Sequence, residues 1–411
     1  MAGSDGDPRR IGLGICGLGR AFSLMLPTFA RDVRVRPVAA TTPGRAARDR
    51  FEREFEAPTY DDLESLCRDP AVEAVYIASP HQFHREHAEI AARAGKHVLV
   101  DKPLALTLED AEGMVMAARE AGVHLIVGPS HSFDEPVALV HRLIASGEVG
   151  RVRMINALNF TDFLFRPRRP EELDPATGGG VLSSQAIHQI DVVRRLGGGL
   201  VRSVTAAIGD WDAARPTEGA YSALMRFEDG AFASLTYSGY ARYDSDELMD
   251  WIGELGHAKD PRAYGKARTA LAEIVDEEAE TAAKRRRNYG FPDSKPDLDG
   301  PFPQAHEHFG FVVVSCECAD LRLTPRGVWI MGDREKRFVD AGPPDIPRRG
   351  VMDALYEAAV FGREPLQSGE WGLASLEACL AIRQSAHEGR TIELRRQIAA
   401  RPPQGAREGE T

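Results

Sequence analysis

Cysteine is scarce in this chain: five residues in 411, at positions 16, 67, 316, 318 and 379, with no C-x-x-C pair and an odd total. A disulfide framework is therefore not the organising device, and reduced thiols in a cytoplasmic setting are expected. Long apolar runs are also missing. None reaches the ~20 residues of a membrane span, and the polar start, Met1–Arg10, has no apolar signal-peptide core, so no membrane partner is expected. Positive charge is in deficit, 51 Lys and Arg against 62 Asp and Glu for a net −11, which argues against a general nucleic-acid binder. A local basic patch could still serve a small anion. The rest of the composition, 43% hydrophobic and 27% charged, is ordinary for a globular protein, and the length calls for two domains.

What is present begins with glycine. An apolar run over 11–17 enters the turn Gly17-Leu18-Gly19, and Ala21–Ala30 then reads as a helix. A strand, a glycine turn and a helix N-terminus in that order suit a pyrophosphate, because glycine lets the backbone come close and free N–H groups meet the charge. The dinucleotide pattern G-x-G-x-x-G is met only in part, since Phe22 stands where its third glycine would be.

Strand and helix periods then alternate. Strands are expected at Val33–Thr41, Ala74–Ala78, Lys96–Val100 and His124–Val127, with helices at Tyr60–Arg68, Arg85–Ala94 and Leu108–Ala121. This predicts an α/β domain, a doubly wound parallel Rossmann sheet spanning 1–130, with cofactor expected at the strand tips Ser79-Pro80 and Asp101-Lys102-Pro103. From 131 to 395 extended runs dominate: Arg151–Thr161, Val201–Ile208, Ala220–Phe227, Ala231–Ser238, Gly310–Val314 and Val328–Met331. They predict an α+β substrate and oligomerisation domain with a largely antiparallel open sheet, covered by helices Leu182–Leu196, Arg349–Phe361 and Gly372–His387. The polar block 256–301 reads as a solvated helix, and 396–411 as a disordered tail.

Four stretches resemble the Gfo/Idh/MocA family of nicotinamide-dependent oxidoreductases: Gly17–Phe22; Ala78–His84, like the family's T-P-x-x-x-H; Asp101-Lys102-Pro103, like its E-K-P; and Gly178–Asp191, like its G-G-G…H-x-x-D. Arg20–Phe29, Asn159–Arg169 and Ser315–Asp320 resemble its phthalate 4,5-cis-dihydrodiol dehydrogenase branch. The resemblance implies NAD or NADP, held by Gly17, Leu18, Gly19, Arg20, Ala21, Phe22, Thr42, Arg45, Ser79, Pro80, His84, Asp101 and Lys102. It also implies a homo-oligomer, dimer or tetramer, and a small anionic cyclic substrate.

Lys102 and His188 are the expected catalytic pair. A lysine after an apolar strand is ordinarily a surface residue, and a lone histidine is ordinarily a bonded core group. The resemblance makes them the handlers of a hydroxyl proton, work that imidazole suits near neutral pH. On a regular helix Ser184, His188 and Asp191 share a face. Sugar-oxidising relatives often carry Asp at the place of Ser184, so Ser184 and Gln185 are open as substrate contacts. Arg166, Arg168 and Arg169 form either a solvated basic loop or, beside Phe160, Phe163 and Phe165, a carboxylate clamp for a planar ring. No acid follows the second strand, where Thr42 and Arg45 lean to NADP while the branch implies NAD. No metal set is expected: His81, His84 and His87 lack a completing Cys or carboxylate, and His306 and His308 read as pocket lining or surface. A sugar or inositol dehydrogenase, and a dinucleotide-binding sensor without turnover, are the alternatives.

Overall fold

The computed structural model describes residues 9–291 and 302–402. The chain divides into two compact units: Met1–Gly128 with Arg286–Gly300 and Arg348–Gly369, and Pro129–Arg285 with Pro301–Pro347 and Glu370–Thr411.

The first unit runs β1 (Ile11–Cys16), α1 (Arg20–Phe29), β2 (Val35–Thr41), α2 (Arg45–Phe55), β3 (Thr59–Tyr60), α3 (Leu63–Arg68), β4 (Ala74–Ile77), α4 (His84–Arg93), β5 (His97–Val100), α5 (Leu108–Ala121) and β6 (Leu125–Val127). Its strands form one sheet in the order β3-β2-β1-β4-β5-β6, every pair parallel. β1 and β4 are buried at every position, as strands covered on both faces must be, which explains their unbroken apolar sequences. Helix ends carry their own signals: Asp62 accepts from Ser65 N at 2.6 Å, and Thr107 from Asp110 N at 3.1 Å. The doubly wound parallel sheet expected from the alternation is present. α2 escaped the sequence reading, because RAARDRFEREF buries only Ala47 and Phe51 and shows almost no apolar stripe.

The second unit contains α6 (Glu135–Ala145), β7 (Val152–Phe160), α7 (Ile187–Leu196), β8 (Val201–Gly209), β9 (Ala220–Phe227), β10 (Phe232–Ser238), α8 (Lys266–Ala272), α9 (Glu277–Arg285), β11 (Phe311–Cys316), β12 (Ala319–Thr324), β13 (Gly327–Gly332) and β14 (Lys336–Asp340). After α10 (Arg349–Phe361), α11 (Gly369–Glu388) and β15 (Ile392–Glu393) finish the chain's regular structure. Nine strands pair in the order β14-β13-β12-β11-β7-β10-β9-β8-β15, all antiparallel except β7 with β10. One face is the core: Ile155, Val204, Met225, Leu235 and Val314 meet Val140 of α6, Ile190 and Val193 of α7, and Ile382 of α11. The largely antiparallel second sheet is thus as expected.

Three readings need correction. Helix α10 was assigned to the second sheet, yet it belongs to the first unit, where Asp353 pairs with Arg34 at 2.7 Å. An apolar stripe says that a face is buried, not which sheet buries it. The polar block is two helices, α8 and α9, and its charges are not all solvated: Glu280 bonds Arg215 at 2.8 Å and Lys284 bonds Glu172 at 2.8 Å, each with a largely buried side chain. The segment around His306 and His308, read as pocket lining or surface, is a loop. Residues 396–400, expected to begin a loose tail, are tied down by Arg396 N donating to Glu377 and by Ala400 N to Gly198 O. The remainder of that tail, 403–411, lies outside the described residues, as does 292–301 of the polar block.

Candidate active site

In the first unit the strand tips build a cradle. Gly17 N donates to Thr41 O at 2.8 Å, joining the ends of β1 and β2. Its φ of +100° suits glycine, and a Cβ there would lie 2.8 Å from the Ala78 carbonyl oxygen and 2.9 Å from Ser79 N. The turn can pass this close to the tip of β4 only without a side chain. Gly19 caps α1 with no side-chain hydrogen bond and no acid in the first turn, and the space where its Cβ would be is open for 4 Å. A helix N-terminus left this way fits an anionic pyrophosphate. Leu18 is buried, and Arg20 and Ala21 open the helix. Phe22 sends its ring into the core, edge-on to Tyr289 at 4.9 Å and against Phe29, Phe51 and Phe55, so it can offer a ligand only its backbone.

The β4 and β5 tips are joined by His84. Completely buried, it places Nε2 3.0 Å from Ser79 O and Nδ1 3.1 and 3.2 Å from Pro103 O and Leu104 O. Burial pushes its pKa below the ordinary histidine value, and the ring braces the loops that carry Ser79, Pro80 and Lys102. Ser79 Oγ meets His87 Nδ1 at 2.8 Å, so His84 and His87 both brace the loop after β4. Asp101 N bonds Ile77 O at 2.9 Å, and burial raises the Asp101 carboxyl to about 6 against the pull of Lys102 and Arg348. Lys102 is half-buried, and its peptide bond to Pro103 is cis. Arg348, absent from the sequence reading, reaches this tip from far along the chain and also donates to Leu24 O. At the end of β2, Thr42 is half-buried and Arg45 projects its side chain 86% exposed, 3.8 Å from Asp49.

In the second unit, α7 is preceded without a break by a π-helical turn over Leu182–Ala186. The wider turn breaks the regular spacing between Ser184 and His188, and such turns are frequent at functional sites. Ser184 Oγ donates back to Gly180 O, while Gln185 donates to Ser184 O at 3.0 Å and accepts from Tyr237 Oη at 3.3 Å. His188, 7% exposed, stands edge-on to His131 with ring centres 4.8 Å apart, and Phe309 lies against both rings at 5.1 and 5.2 Å. Asp191 accepts from Ser130 Oγ and Trp371 Nε1, so it anchors α7.

The three arginines separate. Arg168 is buried, lies 3.5 Å over the Phe163 ring, donates to Phe163 O at 2.7 Å, and takes Glu280 on its backbone N–H. Arg169 is held by Glu171 at 3.1 Å and by Glu172 through its backbone N–H at 2.9 Å. Arg166 bonds Asp162 at 3.0 Å, and its charge also faces Glu254 and Tyr237. His131, Asp134 and Glu307 bring ligand-type atoms within 4.8 Å of one another, but Asp134 and Glu254 already occupy the two His131 nitrogens, which makes this an ion-pair cluster.

Comparison with known proteins decides the lineage. Residues 11–129 match the oxidoreductase family with an NAD-binding Rossmann fold, and 137–259 match the GFO/IDH/MocA C-terminal domain. A 1-carboxy-3-chloro-3,4-dihydroxycyclo hexa-1,5-diene dehydrogenase of Comamonas testosteroni is 48% identical over 90% of this chain and 93% of its own. This chain belongs to the Gfo/Idh/MocA family. It is an NAD(P)-dependent dehydrogenase. A solved dehydrogenase structure from Bordetella bronchiseptica RB50 superposes with a TM-score of 0.88 at 41% identity, covering 94% of this chain and all of that one. Levoglucosan dehydrogenase in complex with NADH and levoglucosan shares the fold, with a TM-score of 0.69 at 18% identity over 94% and 99% of the two chains. Among the described residues no helix is long and apolar enough to cross a membrane.

Proposed function

We propose that this Gfo/Idh/MocA enzyme oxidises a ring carbinol of a small cyclic cis-diol bearing carboxylate, of the phthalate dihydrodiol type. The observation that carries the substrate class is the 48% identity, over nearly the whole of both chains, to a relative named for a carboxylated dihydroxycyclohexadiene. Arg166, part-exposed beside Asp162, agrees with it as the carboxylate receiver.

The dinucleotide would rest on Gly17, Gly19 and the N-terminus of α1, with Thr42 and Arg45 at its ribose and Ser79, Pro80 and Lys102 nearer the nicotinamide. When bound, the nicotinamide supplies the hydride acceptor. The chain's own residues do the rest. Lys102 donates a hydrogen bond to the carbinol oxygen and stabilises negative charge there, while His188 accepts the hydroxyl proton. Gln185 and Ser184 line the same helix and orient the ring. Orientation of the carbinol carbon carries much of the rate, since positioning alone can be worth several kcal/mol, on the order of 7–11 in well-aligned cases. Loss of two hydrogens from a cyclohexadiene diol leaves a catechol, so aromaticity drives the oxidation.

A substrate panel tests the reading. Carboxylated ring dihydrodiols should be turned over at least about tenfold more efficiently than uncarboxylated ones, the worth of one charge-assisted contact. Inositols and aldoses should be poor substrates. A preference for polyols would place the enzyme with its sugar-oxidising relatives, and absence of turnover with every compound would make it a dinucleotide-binding sensor. NAD+ and NADP+ run in parallel resolve the cofactor, which the exposed Arg45 leaves open to both. We place subunit association, as a dimer or tetramer, on the open face of the second sheet, where Ser222, Leu224, Arg226 and Phe232 alternate outward, and light scattering reads the count. Five free cysteines suit a reducing cytoplasm.

A further inference from the structure

His131 sits in the short turn before α6 and is 5% exposed. Its Nδ1 is 2.7 Å from Asp134 Oδ2, and its Nε2 is 3.4 Å from Glu254 Oε1. A neutral imidazole carries one N–H, so one lone pair would point at a carboxylate oxygen. Two carboxylates on two nitrogens require both protons, and the ring is an imidazolium. Burial opposes that charge, yet the two acids outweigh it and carry the His131 pKa up to about 10. The ring of His188 is the next group along, edge-on at 4.8 Å, with Phe309 covering both. Asp191, one turn along α7 from His188, accepts from Ser130 and Trp371.

We propose that His131, held as a cation between Asp134 and Glu254, is a positioning residue that sets the charge field in which His188 takes up and releases its proton. This rests on the reading of His188 as proton acceptor. The groups facing His131 are Asp134 from its own turn, Glu254 and Glu307 from two loops, His188 from α7, and His308, whose Nε2 donates to Ile252 O at 2.8 Å and which burial keeps neutral. Arg166 faces Glu254 from the other side, and Arg195 reaches Ser132 O in the same turn. The cluster of one imidazolium and three carboxylates therefore has two opposed controls. Removing the His131 charge leaves acids facing His188 and favours its protonated form, whereas removing Glu254 does the reverse.

The test is the acidic limb of kcat/KM against pH. His131→Gln should move that limb up by about one unit, Glu254→Gln should move it down, and His131→Arg should restore the position seen in the unaltered enzyme. Limbs that stay within about 0.3 unit, or that move the same way in both variants, overturn the proposal. Should His131→Gln fail to fold, nitrogen-15 histidine spectra of the unaltered enzyme decide. His131 doubly protonated at pH 8 is the expected result, and a single neutral tautomer there refutes it. His188→Asn is the separate control: if it retains turnover, the proton-acceptor reading fails while the His131 spectrum still reports on the ion cluster.

Discussion

Two glycines in one turn separate folding from binding. At Gly17 an added methyl meets the backbone of Ala78 and Ser79 at 2.8–2.9 Å, and the residue holds φ at +100°. Alanine there should cost about 1–2 kcal/mol for the left-handed backbone and about 1–3 more for the overlap. In a unit of this size that lowers the melting temperature by roughly 5–15 °C. At Gly19 φ is −92° and nothing lies within 4 Å of the added methyl, so Gly19→Ala should leave the ligand-free melting temperature within about 2 °C. If the α1 N-terminus takes up the pyrophosphate, the same methyl occupies the space the phosphates need. The dinucleotide Kd should then rise at least about tenfold, or 1.4 kcal/mol. Calorimetric melting beside a fluorescence titration with NAD+ reads both. A Gly19→Ala protein that binds NAD+ within about twofold of the original would refute the cradle.

The arginines and the buried ion cluster make further predictions. Arg166→Ala should lower kcat/KM for a carboxylated ring diol by roughly tenfold to a hundredfold through a lost charge-assisted bond. Arg168→Ala should instead lower stability by about 2–3 kcal/mol in urea melts, with KM little changed, because its guanidinium is spent on Phe163. His131 is raised from an ordinary 6.5 to about 10 in the fold, so its contribution is complete below pH 6.5 and disappears as pH rises towards 10. The stability difference between the unaltered enzyme and His131→Gln should accordingly shrink across that window, and a difference constant from pH 6.5 to 10 would contradict the assignment.

What the sequence made legible was whatever repeats locally. β1, β4 and β5 announce themselves as short apolar runs ending in turn residues, and α5 by Thr107 at its start and Gly122 at its end. β12 and β14 did not, because ADLRLT and KRFVD carry charges on an open face and the short apolar signal is broken. α6 and α2 were missed for related reasons: one follows directly on a loop with Pro136 in its first turn, and the other is almost wholly charged. Long-range choices were invisible, as α10 shows by joining the first unit. At the site, Lys102 and His188 were named through motif spacing. The π turn before His188 was not, because local periodicity over Leu182–Leu196 is that of an ordinary helix. The partnership of His131 with Glu254 joins residues far apart in the chain, and no pattern in either neighbourhood hints at it.

The proposed chemistry has Lys102 and His188 act on one and the same carbinol oxygen. A crystal structure of the ternary complex, with NADH and the catechol product of a carboxylated ring dihydrodiol, tests it most directly. Lys102 Nζ and a ring nitrogen of His188 should both lie within about 2.6–3.2 Å of that oxygen. A complex in which either stands beyond reach of the oxygen, with water filling its place, would contradict the account.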